Sequence, residues 1–257
     1  MEDWTSMWLR KQIVPDSRRL VVLEMSSMND KTLSIKEEAQ GRQVVYALLG
    51  RLFERELELD EVLSIGTGEG SQVLLSLSEA GIAWNSANRL IAATNSGGES
   101  IVERLSVEYS RLFNAHNRIY SHASCWLGER PRLMGEPWRE VLDFYHREGL
   151  VPREENIWLA DQVGTQFYFA SVLSGRVAQA GSARDARKSL EVLVEYLKTH
   201  VMTWAPRFLD KVAGDPRADF YADAAIVGLG FVEMDAHMLG IDVYPAEYEG
   251  QLEEVRR

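Results

Sequence analysis

The chain has 257 residues, 46% of them hydrophobic and 26% charged, which is ordinary for a soluble globular protein and long enough to bury a sizeable core. Its 28 basic and 39 acidic side chains give a formal net charge of −11, which argues against a nucleic-acid partner because like charges repel. The single cysteine excludes an internal disulfide, and no apolar run approaches the roughly eighteen residues of a membrane span, so we expect no direct membrane insertion.

Residues 1–33 show no sustained hydrophobic periodicity, and we predict a loosely ordered N-terminal extension there. Within it, Ser17-Arg18-Arg19 is similar to the start of a twin-arginine export signal, but charge returns after only a handful of apolar residues. Such a signal needs about seven to fifteen apolar residues and a small-residue cleavage site, so this segment fails as one. The sequence leaves open whether Met1, Met25 or Met28 is the natural start.

From residue 34 onward the hydrophobic spacing is helical. Ser34 followed by Glu37 is typical of a capping box, Pro137 of a helix start, and Pro206 of a kink or restart. We predict helices over 34–53, 70–80, 85–94, 99–114, 137–148, 153–181, 185–212 and 216–239, with an irregular segment at 115–134. Alternating runs typical of strands are missing. The predicted fold is therefore all-α: a single compact domain of about nine to eleven helices over 34–242, followed by an acidic C-terminal tail at 243–257.

The segment 153–181 is predicted to be the central helix. Its apolar residues recur at steps of three or four from Ala160 to Val177, and between residues 167 and 173 they surround most of the helix. Polar side chains interrupt the first half of this segment, and they are the first candidates for function: Asp161, Gln162, Thr165 and Gln166.

A glycine-rich stretch at 60–81 supports an alternative interpretation. Gly66, Gly68 and Gly70 are spaced as in the first motif of class I S-adenosylmethionine-dependent methyltransferases, where a strand precedes the glycines and a helix follows them. That motif belongs among alternating strands and helices, and here the candidate strand is very short. The other interpretation of the stretch is a glycine-rich connection between two helices.

The sequence contains no complete pattern for a metal site or for an activated catalytic nucleophile. His116, His122 and Cys125 share one segment, but zinc needs a fourth ligand or a water, and nothing marks a base that pairs with Cys125. We therefore predict no bound metal and no catalytic residues.

Several segments, in order over roughly residues 40–240, resemble the TorD/DmsD family of cytoplasmic chaperones for molybdoenzyme maturation. Five carry the resemblance: YALLGRLF at 46–53, EYSRLF at 108–113, LMGEP with FYHREGL at 133–150, DQVGTQFYF at 161–169, and HVMTWAPRF at 200–208. The family pattern has His and Glu where this chain has Gln162 and Gln166, which leaves the identity of the client open.

The resemblance implies an all-α, non-enzymatic chaperone, a monomer or homodimer, that acts in the cytoplasm in anaerobic respiration. Its partner would be the molybdopterin-containing catalytic subunit of an oxidoreductase of the dimethyl sulfoxide reductase group, whose twin-arginine leader it binds while the cofactor is inserted before export. The residues that the resemblance assigns to leader binding are Asp161, Gln162, Thr165, Gln166, Tyr168, Glu108, Arg111, His200 and Trp204. No resident cofactor is expected; some family members are described as binding guanine nucleotide, which the sequence leaves open because it shows no phosphate cradle.

Overall fold

The computed structural model describes residues 27–95, 98–127, 132–150 and 154–243, which contain ten α-helices, with the two longest connections at 110–135 and 148–162. In chain order these are α1 Ser27–Glu54, α2 Leu59–Thr67, α3 Glu69–Glu79, α4 Trp84–Asn95, α5 Glu99–Tyr109, α6 Glu136–Arg147, α7 Val163–Ala178, α8 Ala183–Tyr196, α9 Ala205–Ala213 and α10 Phe220–Leu239. Single π-helical turns at Ser110–Asn114 and Leu197–Val201 extend α5 and α8, and 3₁₀ turns lie at Ala123–Cys125 and Glu154–Leu159. The described ranges contain no β-strand, so the all-α prediction is confirmed.

Most predicted helix positions agree with the structure to within one or two residues. The break before Pro206 is also confirmed, because α8 and its π turn end at Val201 and α9 begins at Ala205. The predicted capping box is wrong, since α1 already begins at Ser27 and the Ser34 hydroxyl donates to Glu38 Oε1 (3.0 Å) inside the helix. Of the predicted extension at 1–33, residues 27–33 belong to α1, whereas residues 1–26 lie outside the described residues, as does the predicted tail at 243–257 from residue 244 onward.

The predicted continuous helix at 153–181 is corrected by a break at Ala160–Gln162, so that α7 begins only at Val163. The break has a clear cause in the backbone hydrogen bonds. The Ala123 N–H donates to Asp161 O (2.9 Å) and the Val163 N–H donates to Ser121 O (2.8 Å), which forms an isolated antiparallel bridge between His122 and Gln162. A distant segment therefore holds this backbone in an extended conformation.

The methyltransferase alternative is wrong for the stretch at 60–81. The glycines lie in and between α2 and α3, and no strand precedes them in the described part of the chain. A Cβ on Gly66 would lie 3.0 Å from Asn95 N, and one on Gly70 would lie 3.0 Å from Ser64 O. The missing side chains therefore allow helices to pack closely.

The centre of the fold is the antiparallel contact between α1 and α7. A Cβ added to Gly164 would lie 2.5 Å from Glu54 N, and one added to Gly50 would lie 2.9 Å from the Tyr168 ring. At the other end of this contact, the Ser171 hydroxyl donates to Gln43 O (2.9 Å). Side chains larger than hydrogen are excluded where the two backbones meet.

Around this pair, α1 is also tied to α10 by a buried ion pair. The Arg42 guanidinium donates to Asp235 Oδ1, and the Tyr46 hydroxyl donates to Asp235 Oδ2 (3.0 Å). Burial raises the pKa of Asp235, and the Arg42 charge opposes that shift.

None of the described helices combines the length and the hydropathy that a membrane-spanning helix needs.

Gly164→Ala should destabilise the protein strongly, because the new methyl group would overlap the backbone of α1. We expect the free energy of unfolding in urea to fall by about 3 kcal/mol. Gly41→Ala is the matched control. Gly41 also lies within α1, but it is exposed to solvent and no atom lies within 4 Å of the added Cβ. That change should stabilise by roughly 0.5–1 kcal/mol, and equal effects of both changes would contradict the close contact.

Candidate functional site

Asp161 lies in the break before α7 and is completely buried. Its Oδ2 accepts hydrogen bonds from the backbone N–H of Ser124 (2.8 Å) and from the Ser124 hydroxyl. The Ser124 Oγ in turn accepts from the N–H of Gly135 (3.2 Å). One carboxylate thus anchors both the turn at 122–126 and the chain that leads into α6.

Gln162 connects α7 to the end of α1. Its Oε1 caps α7 by accepting from the Thr165 N–H (3.0 Å), while its Nε2 donates to Phe53 O (2.6 Å) and Glu54 O (3.3 Å). The Tyr109 hydroxyl donates to the same two carbonyls, at 3.3 and 3.0 Å. Because an ending helix leaves carbonyls without partners inside the helix, these two side chains complete the C-terminus of α1.

Gln166 and Trp204 form a second buried pair. The indole Nε1–H of Trp204 donates to Gln166 Oε1 (2.9 Å), and both side chains are at most 1% exposed. Thr165 is buried in the same turn, and the Tyr168 ring packs on Gly50. The structure therefore places the predicted polar face of α7 inside the protein, in contact with α1 and α9.

The predicted pair Glu108 and Arg111 has two separate roles. The buried Glu108 carboxylate accepts from the backbone N–H groups of Asp219 (2.7 Å), Phe220 (3.3 Å) and Tyr221 (3.0 Å), which caps the N-terminus of α10. A negative charge is favourable there because of the helix dipole. Arg111 is exposed, and its guanidinium donates to Arg217 O (2.7 Å).

His200 lies beside two aromatic rings at the end of α8. Its ring is 5.2 Å from the centroid of Phe144, edge to face, and 5.6 Å from that of Tyr196. Burial, followed by the charge of Arg147, lowers the pKa of His200 to about 4. This imidazole is neutral near pH 7.

Two neighbouring surface depressions open beside the Asp161–Gln162 turn. We call the first, of about 650 Å³, the acidic depression; it is lined by Glu54–Leu59, Val102, Ser106, Tyr109 and Asn114. We call the second, of about 240 Å³, the aromatic cleft; its lining includes Phe113, Arg118, Tyr120–His122, Leu133, Trp158, Leu159 and Gln162. The two share Glu54, Tyr109 and Asn114, so they form one continuous site.

Sequence reasoning missed almost all residues of this site. Of the predicted residues, only Gln162 lines it. Asp161 contributes indirectly, because its carboxylate fixes the turn at 122–126, and His122 of that turn lines the site. Large apolar side chains stand open to solvent here: Tyr120 is 44% exposed, Leu133 47% and Trp158 49%. The signals available in the sequence were two separate ones: the aromatic residues of the irregular segment at 115–134 and the run of glutamates at 54–61.

The charged side chains in the acidic depression differ in whether they pair with an opposite charge. Arg55 pairs with Glu58 (3.2 Å) and Glu61 (3.0 Å). Glu56 instead accepts from the hydroxyls of Ser106 and Ser110, the latter at 2.6 Å, and pairs with no cation in the described ranges. Its carboxylate is held in place and available for a cationic ligand.

The aromatic cleft is mainly apolar. The guanidinium of Arg118 lies over the Tyr120 ring, 4.7 Å from its centroid. His122 stacks on Trp158 with ring centroids 6.0 Å apart, and burial lowers the pKa of this histidine. Burial also raises the pKa of the nearby Cys125 thiol to about 11, so the thiol is protonated near neutral pH. These groups favour an apolar ligand, with no activated nucleophile in their midst.

Comparison with known proteins identifies consistent relatives. The family model described as nitrate reductase delta subunit matches residues 79–210, just over half of the chain. The chain is 24% identical over 205 residues to Chaperone protein TorD of Vibrio atlanticus, an alignment that covers 78% of this chain and 95% of that protein. TorD of Aliivibrio salmonicida is 21% identical (78% and 95% covered), and TorD of Shewanella piezotolerans is 23% identical (78% and 93% covered).

The depressed pKa of His200 predicts a specific acid sensitivity. Because its folded-state pKa of about 4 lies below the unfolded value of 6.5, the unfolded chain binds the proton first as pH falls. Stability is therefore fully present above pH 6.5 and lost towards pH 4, by roughly 2–3 kcal/mol. His200→Phe keeps the ring contacts and should flatten this part of the profile of unfolding free energy against pH. An unchanged slope would contradict the assignment.

Proposed function

The chain belongs to the nitrate reductase delta subunit family, which includes the TorD chaperones, and from this premise we propose how it recognises its client. It is a maturation chaperone of a molybdoenzyme rather than an enzyme. We propose that it binds the twin-arginine leader of a molybdopterin-containing catalytic subunit in the cytoplasm and holds the precursor while the cofactor is inserted before export. The acidic depression and the aromatic cleft together are the proposed binding site.

The chemistry of a leader supports this assignment. A twin-arginine leader presents two planar guanidinium groups followed by an apolar segment. Carboxylates bind guanidinium groups through paired charge-assisted hydrogen bonds, and the lining of the acidic depression supplies the carboxylate of Glu56 and that of Glu58, which it shares with Arg55. The observation that carries the proposal is this adjacency of an acidic and an aromatic surface, joined at Glu54, Tyr109 and Asn114.

Both halves of the site are needed for useful affinity. A charge-assisted hydrogen bond contributes about 1.5–3 kcal/mol, whereas a micromolar complex requires about 8 kcal/mol. Paired hydrogen bonds from two arginines would give roughly 6–12 kcal/mol, but association costs about 4–15 kcal/mol in lost translational and rotational freedom, so the apolar part of the leader must be buried as well. Tyr120, Leu133 and Trp158 offer the exposed apolar surface for that contact.

Within this proposal, the predicted leader-binding residues act mainly by holding the site in shape. Asp161 positions the 122–126 turn, and Gln162 forms the floor of the cleft and completes the end of α1. Glu108 caps the N-terminus of α10, and the hydrogen bond from Trp204 to Gln166 fixes the first turns of α7 in the core. The second carboxylate oxygen, Asp161 Oδ1, accepts no hydrogen bond from the described residues but is buried, so a leader arginine could reach it only if the residues that cover it moved.

Glu56→Gln should weaken leader binding by about tenfold or more, because the amide keeps the shape of the carboxylate but loses its charge. Calorimetry with a synthetic twin-arginine leader peptide measures the affinity. Glu191→Gln is the matched control: it removes the same charge from an exposed position on α8, outside the lining of the site, and should change affinity little. Equal effects of the two variants would contradict the acidic depression as the arginine site.

Asp161→Ala tests whether the turn is positioned as described. Alanine has no oxygen to accept the two hydrogen bonds from Ser124, so we expect the free energy of unfolding to fall by about 1–3 kcal/mol. Leader affinity should fall as well, at temperatures where the variant remains folded by circular dichroism. A folded variant that binds the leader with unchanged affinity would remove Asp161 from any role in recognition.

A further inference from the structure

The chain carries, near its own N-terminus, a segment with the chemistry of a leader. Residues 17–23 read Ser-Arg-Arg-Leu-Val-Val-Leu, with paired arginines followed directly by four apolar residues. The apolar part is too short for an export signal, which needs about seven to fifteen such residues. It nevertheless offers, in the same order, the two features that suit the acidic depression and the aromatic cleft.

We propose that residues 17–23 of one copy bind the acidic depression and aromatic cleft of a second copy, which closes the site until a client leader displaces them. The inference rests on the proposed leader-binding function, because it assigns a second ligand to the same site. The ligand is a pair of arginines with a short apolar segment, and the bound form is a self-associated chaperone.

Distance identifies the second copy as the occupant. The site begins at Glu54, the last residue of α1, and the 28 residues of α1 extend for about 40 Å. Arg18 lies nine residue steps before Ser27, where α1 begins, and a fully extended chain covers about 30 Å in nine steps. While α1 is intact, the arginines of one copy therefore fall short of its own site and reach only that of a neighbour.

Charge gives this association a distinctive behaviour. At a net charge of −11 two copies repel each other overall, so contact requires a local attraction. Arg18 and Arg19 against Glu56 and Glu58 provide one, and its exposed part is screened by salt. Self-association should accordingly weaken as the salt concentration rises.

Sedimentation velocity of the full chain tests the proposal. We expect concentration-dependent association of the wild type, weakened about tenfold or more in Arg18→Gln/Arg19→Gln and retained in the control Arg10→Gln/Lys11→Gln, which removes two charges from the same region. Glu56→Gln should also be largely monomeric. Mixing it with Arg18→Gln/Arg19→Gln should restore association, because one copy retains the segment and the other retains the site.

A synthetic twin-arginine leader peptide separates this inference from the proposed function. Added in excess, it should dissociate the wild-type assembly into monomers. A wild type that stays monomeric at about 100 µM, or an Arg18→Gln/Arg19→Gln variant that associates like the wild type, would overturn the inference. In either case, leader binding by that variant would leave the proposed function standing. A failure of that variant to bind the leader would instead contradict the proposed function, while sedimentation would still decide the self-association.

Discussion

The contact between the backbones of Gly164 and Glu54 is the constraint on which the rest of the structure depends. It lies where α7 begins and α1 ends, so it determines where the two central helices meet. Directly beside it, Gln162 and Tyr109 donate to the last carbonyls of α1. The acidic depression starts at that helix end and Gln162 lines the aromatic cleft, so the proposed binding site is built where the backbones of α1 and α7 approach each other closely.

The sequence predicts the helices well, because their periodicity is a local property. It does not predict the break at residues 160–162, because the partners that cause it lie far away in the chain: Ser124 is 37 residues from Asp161, and Phe53 is 109 residues from Gln162. For the same reason, periodicity alone cannot distinguish an exposed Asp161 from one that is buried and hydrogen-bonded. The proposed binding site was hidden in the sequence because α1, the connection from α1 to α2, α5 and two irregular segments contribute to it and meet only in the folded protein.

The two glutamines that depart from the family pattern have a physical explanation in the interior. Gln162 both donates and accepts hydrogen bonds while 2% exposed, and Gln166 accepts from Trp204 while 1% exposed. A neutral amide satisfies these contacts without the cost of burying an unpaired charge. In this chain the two glutamines therefore help to hold the core together, whereas the proposed ligand contacts come from the glutamates and aromatic rings at the surface.

Hydrogen exchange measured with and without a synthetic twin-arginine leader peptide tests the central claim most directly. Exchange reports protection of backbone amides segment by segment, and it requires no substitution in the protein. Saturating peptide should slow exchange in residues 54–59 and in 113–122, the segments that line the acidic depression and the aromatic cleft. Protection confined to other surfaces, with these two segments unchanged, would contradict it.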